Sequence, residues 1–317
     1  MTVNVSIGKE NNTIPYSVGV QQGDNMAPVL FIFVMLAFTD ITNKNWTSRW
    51  GMPKIQFNHF PSQTQGRLIS QSSNSKGIIF DLLQLLYVDD GTFLFNSRED
   101  LEKGSQHIYD TFRMLGLTMH IGTNGATSKS EAMFVSPSLQ LDSSPIYNTE
   151  PILLNEGNIL FCKEFKYLGS MISKNLKDDL EIETRIKKAN MQYGSLKNIL
   201  TNQKIKLNTK VLLYKAIILN TVLWGCESWS LTAELIRKLE VFQNKMIRRI
   251  LKIDMYMVQE DRITNANIRK QFCNISKIQD VITRRQLKWV GTITQMEETR
   301  MPKKIDGLLD SKPKKAR

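Results

Sequence analysis

At 317 residues, with 41% apolar and 23% charged, the chain can build two modest domains and is too apolar for wholesale disorder. Its net charge of +12 is uneven: residues 1–150 hold 10 Lys and Arg against 13 Asp and Glu, and residues 151–317 hold 32 against 17. Its longest apolar run, residues 29–38, falls short of the roughly 20 needed to cross a bilayer; no leader pattern opens the chain, and Cys162, Cys226 and Cys273 make no zinc pattern, so a membrane span, secretion and a zinc module are not expected.

In chain order, "TVNVSI" (2–7) alternates as a strand and "GKENNT" follows as a turn. The apolar run at 29–38 reads as a buried helix, with Pro28 in its first turn, where proline removes no helical hydrogen bond. Residues 61–77 are polar and form an exposed connection; then "IIFDLLQLLY" and "GTFLF" read as strands flanking Asp89 and Asp90. Residues 99–116 predict an amphipathic helix with Leu101, Ile108, Phe112 and Leu115 inward and Gly116 near its end. "EAMFV" reads as a strand, 136–150 as a loop, and "ILLNEGNILF" as a hairpin.

From Asp178 the pattern turns helical. Ile182, Ile186, Ala189, Tyr193, Leu196 and Leu200 keep helical spacing, as do Leu235, Leu239, Phe242, Met246 and Ile250, with Thr232 as N-cap. On that second helix Lys238, Lys245, Arg249 and Lys252 occupy a separate arc, either a phosphate-binding face or a solvated one. The net +15 after residue 150 points to a polyanion, nucleic acid ahead of an anionic membrane surface, with solubility as the bland alternative. The expected class is α+β, an antiparallel sheet with helices followed by an all-helical region, without internal repeats.

The stretch "LLYVDDGTFLF" (85–95) sets two carboxylates side by side between apolar segments. Such a pair is tolerated where a divalent cation sits, or simply where a hairpin tip is exposed; Asp-Gly is also a common tight turn. Mg²⁺ suits one or two carboxylates completed by water and phosphate oxygens.

Four segments in order, "SVGVQQGDNMAP", "YVDD", "SKSEAMF" and "FKYLGSMIS", together resemble the palm of a reverse transcriptase of the non-LTR (LINE-type) retrotransposons. Residues 19–28 resemble that family's motif B, with Gln21 where arginine is common; 87–90 resemble motif C, with Val88 in place of the more usual alanine. Residues 116–134 are similar to motif D with a loop inserted before Lys129, and 165–169 to motif E, the primer grip. "LWGCESW" (223–229) and "RRQLKWVGTITQM…RMP" (284–302) resemble the helical region after the polymerase core, with Gly291, Thr292 and Ile293 where Gly-His-Val is frequent. The likeness covers nearly the whole chain.

The resemblance implies a partial right-hand palm over 1–172, a thumb-like helical region over 173–255, and a basic helical extension with a disordered tail over 256–317. It implies Mg²⁺ (or Mn²⁺) on Asp89 and Asp90, Tyr87 at the turn near the primer end, and Gly23 and Gln22 facing nucleotide or template. Lys129 becomes a proton donor or counter-charge for pyrophosphate, against a plain surface lysine. Tyr167, Leu168 and Gly169 become the turn under the primer strand. Partners are then an RNA template, a DNA primer and deoxynucleoside triphosphates, without a membrane; nothing fixes an oligomeric state.

The sequence departs from the family in one respect that matters. The family's first catalytic aspartate lies well upstream of motif B, yet only 18 residues precede Gly19 and their sole acid is Glu10; Asp24 and Asp40 are poorly placed substitutes. Finger segments, an endonuclease and a Cys/His knuckle are not found. The expectation is a palm that begins midway, inactive or very weak. The alternatives are a non-catalytic nucleic-acid-binding protein and an unstable relic with exposed sheet edges. "SKPKKAR" has the composition of a nuclear import signal, so the nucleus or the cytoplasm is the expected compartment.

Overall fold

Strands β1 (Thr2–Ile7) and β2 (Glu10–Pro15) open the chain as an antiparallel hairpin, with Thr2 opposite Pro15. The connection is tighter than the sequence suggests, since Asn11 to Thr13, expected in the turn, pair within β2. The computed structural model describes residues 2–7, 10–15, 23–59, 78–123, 128–135 and 150–310. The expected connections at 61–77 and 136–149, the tail after 310 and Gln22 lie outside these. The chain is α+β and divides into two compact units, the first made of residues 1–57, 80–130 and 152–158, the second of the remainder.

In the first unit, helix α1 (Ala27–Ser48) carries Pro28 in its first turn, as expected. The apolar run was expected to be buried, and this is corrected. Val29, Leu30, Ile32, Phe33 and Leu36 are exposed, Phe33 to 64%, while Phe38, Thr42 and Trp46 are buried. The run is apolar all round, so one helical face exceeds what the unit covers; the inward face is the later i, i+4, i+8 row. The helix also outlasts the run, and by length and composition it is long enough to cross a bilayer. A core helix passes the same test, and the C-terminal half of α1 is core.

Next in the chain come β3 (Gln56–His59) and β4 (Ile78–Asp81). "IIFDLLQLLY" is not one strand: after β4, Leu82 donates to the Ile55 carbonyl, and β5 (Gln84–Tyr87) begins anew to pair with β6 (Asp90–Phe93). Helix α2 (Arg98–Met114) is capped by Ser97, whose hydroxyl accepts from the Asp100 amide at 3.1 Å. Phe38, Trp46, Met52, Leu83 and Ile108 form the core, and Phe38 stacks on Phe112 at 4.2 Å between centroids. Thr42 is fully buried and its hydroxyl has no hydrogen-bond partner among the described residues. Removing that orphan hydroxyl at constant shape should help: Thr42→Val is expected to raise stability by about 1 kcal/mol in chemical denaturation.

In the second unit, β7 (Glu131–Ala132) is all that forms of the expected strand "EAMFV". After β8 (Ile152–Leu154) in the first unit and the Asn155–Glu156 turn, β9 (Gly157–Phe161) runs parallel to β7, pairing Glu131 with Leu160. A second hairpin follows, β10 (Glu164–Tyr167) and β11 (Ser170–Ser173). From here the described residues hold helices only: α3 (Asp179–Leu200), α4 (Leu207–Leu213), a π turn over Tyr214–Leu219, α5 (Asn220–Val222), α6 (Ala233–Leu251), α7 (Met255–Glu260), α8 (Asn265–Gln271), α9 (Ile278–Thr294) and α10 (Met301–Asp310). Their core joins the two expected stripes. Ile182, Ala189, Tyr193 and Leu200 of α3 are buried, as are Leu235, Leu239, Phe242, Met246 and Ile250 of α6, with Tyr214, Ile218, Phe272 and Ile282. Thr232 caps α6 by accepting from the Leu235 amide at 3.3 Å.

Candidate functional site

The β5–β6 hairpin presents the two aspartates at its tip. Tyr87 pairs with Asp90, so Val88 and Asp89 are the two turn residues. The Asp-Gly pair is therefore not the turn. Gly91 sits in β6 without a left-handed φ, and a Cβ there would stand 3.1 Å from Phe93 Cε2 and 3.3 Å from Leu86 Cδ2. The turn's strained residue is Val88, at φ +53°. A β-branched side chain in the left-handed region costs of order 1–3 kcal/mol and persists only where its surroundings impose it. Tyr87, Val88, Asp89 and Asp90 are all exposed, so the carboxylates keep their hydration. Beside the tip, Leu86 and Val88 join Pro28, Phe31, Ile32, Met35, Leu36 and Thr39 of α1 around an apolar hollow of about 480 Å³.

Gly23, before α1, has φ +94° and nothing within 4 Å of where a Cβ would be, so glycine serves the backbone conformation and leaves open space before it. Asp24 has a structural task at the start of α1, its Oδ1 accepting from the Met26 amide at 2.9 Å. Lys129 is exposed in the loop before β7, its backbone amide donating to His120 Nδ1 at 3.2 Å. Among the described residues, no three His, Cys, Asp or Glu side chains gather as a metal-binding group.

In the second unit the β10–β11 hairpin uses the same device. Leu168 and Gly169, both at positive φ (+47° and +88°), form its two-residue turn between Tyr167 and Ser170. What holds this turn escaped the sequence reading. Glu181 and Arg185 of α3 form a buried ion pair at 2.6 Å. Arg185 also donates to the Gly169 carbonyl at 2.6 Å, and Glu181 Oε2 accepts from the Met171 amide at 2.7 Å. An acid and a base at i, i+4 near a helix start were the available signal, but on an exposed face the same pair would mean little.

One distant segment comes beside the turn, and a second bonds to that segment. A Cβ on Gly169 would lie 3.5 Å from Trp224 Nε1, and the Arg185 guanidinium sits 5.9 Å from the Trp224 ring centroid. From α9, Arg285 donates to the Leu223 carbonyl at 3.2 Å and to Asn220 Oδ1 at 2.5 Å. Gln286 donates to the carbonyls of Cys226 at 3.2 Å and Trp229 at 3.0 Å. Residues of "FKYLG", "LWGCESW" and "RRQLKW" are thus brought to one place. Burial pushes the Cys226 thiol up to about 11, so it stays protonated and structural.

The four cations of α6 are not equivalent. Lys238 is half-buried and bridges to Glu183 at 3.4 Å and Glu234 at 3.8 Å. Arg249 lies 5.6 Å from the Tyr193 ring centroid. Lys245 is exposed, and Lys252 is exposed where the helix ends, at φ +59°.

Comparison with known proteins gives one informative match. The chain is 23% identical over 233 residues, 69% of its length, to an uncharacterized transposon-derived protein of Caenorhabditis elegans, of which it covers 74%. This relates the chain to transposon-derived sequence. No protein family profile matches it, and no solved structure matches it.

Proposed function

We propose that the chain derives from the RNA-directed DNA polymerase of a non-LTR retrotransposon. The observation that carries this reading is the β5–β6 tip, where "YVDD" lies on a two-residue hairpin turn with Val88 in a strained conformation and both aspartates exposed. The order of the four palm-like segments and the transposon-derived relative support it.

The donor set suits Mg²⁺ or Mn²⁺: two exposed carboxylates on successive residues offer hard oxygens to one side of an ion, leaving the rest to water and phosphate. Such ions, when bound, stabilise charge on the attacking 3′-oxygen and the leaving pyrophosphate of nucleotidyl transfer. Asp89, in the turn, is the more direct ligand and Asp90, at the start of β6, the second. Tyr87 shields the turn toward the primer end, Gly23 leaves space for a base pair, Gln22 hydrogen-bonds template or nucleotide, and Lys129 meets pyrophosphate. Tyr167, Leu168 and Gly169 support the primer strand. Because no third carboxylate joins Asp89 and Asp90 among the described residues, this polypeptide is expected to polymerise weakly or not at all. Sequence-independent nucleic-acid binding by its basic residues is then the activity that remains.

The test is primer extension on a homopolymer RNA template with Mg²⁺, beside Mn²⁺ binding followed by electron paramagnetic resonance with primer–template and nucleotide present. Expected are trace incorporation at most and weak Mn²⁺ binding that Asp89→Ala/Asp90→Ala abolishes. Mn²⁺ binding indifferent to that double substitution would sink the metal assignment. Robust incorporation that the substitution abolishes would show that the chain completes its own site.

A further inference from the structure

Trp224 is 57% exposed, and a buried, ion-paired Arg185 lies at one face, 5.9 Å from its ring centroid; a Cβ on Gly169 would come within 3.5 Å of its Nε1, so the glycine leaves room beside the ring. A large aromatic ring left mostly exposed beside a buried cation is a surface suited to a planar partner. It lines a hollow of about 570 Å³ with Asn220, Leu223, Gly225, Glu227 and Arg285, within the roughly 300–1,000 Å³ range of small-molecule sites. Leu223 supplies an apolar wall, and Glu227 supplies an acceptor-only carboxylate. Arg285, locked by Leu223 and Asn220, keeps donors beyond those two bonds.

Further cations lie on the Arg185 side of the ring. Lys166 on β10 and Lys188 on α3 lie near Arg185; burial, then Arg185 and Lys166, hold the Lys188 ammonium below the ordinary lysine value. Glu181 neutralises Arg185, so Lys166 and Lys188 remain as surplus charge available to a phosphate backbone.

We propose that this hollow takes one unpaired guanine of a single-stranded nucleic acid. The base stacks on Trp224, its adjacent N1–H and N2–H groups donate to Glu227, and Arg285 donates to O6. Adenine would set its N1 acceptor against the same carboxylate and is disfavoured. The inference rests on the reading of the chain as a nucleic-acid-binding protein and adds a base-selective site to it.

The test uses short oligomers of abasic residues carrying one central guanine, one central adenine or no base, so that charge is constant, with binding followed by fluorescence anisotropy. The full chain should bind the guanine oligomer about 5- to 150-fold more tightly than the base-free one. Trp224→Ala should abolish that difference, Trp224→Phe should keep much of it, and Glu227→Gln should narrow the preference for guanine over adenine. Thermal unfolding checks that each variant is folded. Equal affinity of the unmodified chain for all three oligomers overturns the pocket while leaving backbone binding intact. A Trp224-dependent gain identical for guanine and adenine overturns it as a guanine site. No salt-sensitive binding of any oligomer overturns the nucleic-acid reading itself.

Discussion

Arg185→Ala is expected to destabilise the second unit by about 3–5 kcal/mol, the range found when one partner of a buried ion pair is removed. Both side chains of the Glu181–Arg185 pair are almost fully buried. Without the guanidinium, Glu181 keeps a buried charge whose remaining hydrogen bond among the described residues comes from the Met171 amide, and the Gly169 carbonyl loses its donor. The hairpin turn would be released first, since its two positive-φ residues lie beside the hydrogen bonds from Arg185 to the Gly169 carbonyl and from the Met171 amide to Glu181. Urea unfolding should show the lowered midpoint, and hydrogen exchange should show the Met171 amide losing protection beyond the global change. Glu181→Leu/Arg185→Met should lose less than the sum of the two single truncations. A loss below about 1 kcal/mol for Arg185→Ala would mean that the pair is solvated in practice and does not organise the turn.

Raising salt from 50 to 200 mM should weaken single-stranded RNA binding by about 10³-fold or more if six to ten phosphates are contacted. The basis is the net +15 after residue 150. The structure sharpens the prediction on α6. Lys245→Ala and Lys252→Ala should each lower the slope of log affinity against log salt by about one, because both side chains are exposed. Lys238→Ala should change it far less, since Glu183 and Glu234 already neutralise that ammonium. A salt-independent affinity would remove the electrostatic footing of the reading; equal effects at all three lysines would show that the intramolecular bridges of Lys238 do not persist in solution.

Much of the fold was legible because local periodicity determines which helical face is apolar, and solvent exclusion then buries that face. The stripes Ile182–Leu200 and Leu235–Ile250, the Thr232 cap and the amphipathic helix before Gly116 all follow from spacing that no tertiary contact needs to correct. The hairpin carrying Asp89 and Asp90 was legible too, as two apolar segments about an acidic pair. Its geometry was not. Asp-Gly has the stronger intrinsic turn propensity, but the register Tyr87–Asp90 sets Val88 and Asp89 in the turn and Gly91 against Phe93, so pairing of the flanking strands overrode local preference.

The same limit explains α1. An apolar run says that burial is favourable, not which face obtains it, and only the positions of Phe93 and Phe112 made Phe38 core while Phe33 stayed exposed. Segments more than fifty residues apart in sequence carry no mutual signal in a single chain; "FKYLG", "LWGCESW" and "RRQLKW" meet because α3 and α9 present Arg185, Arg285 and Gln286 to backbone carbonyls. By itself the sequence determined the chemical inventory: the paired aspartates, the basic C-terminal half and the helical stripes. Only the tertiary structure decided which cations were already paired, which aromatic stayed exposed beside a buried cation, and which residue bore the strain of the turn, because each depends on desolvation and on neighbours brought together by folding.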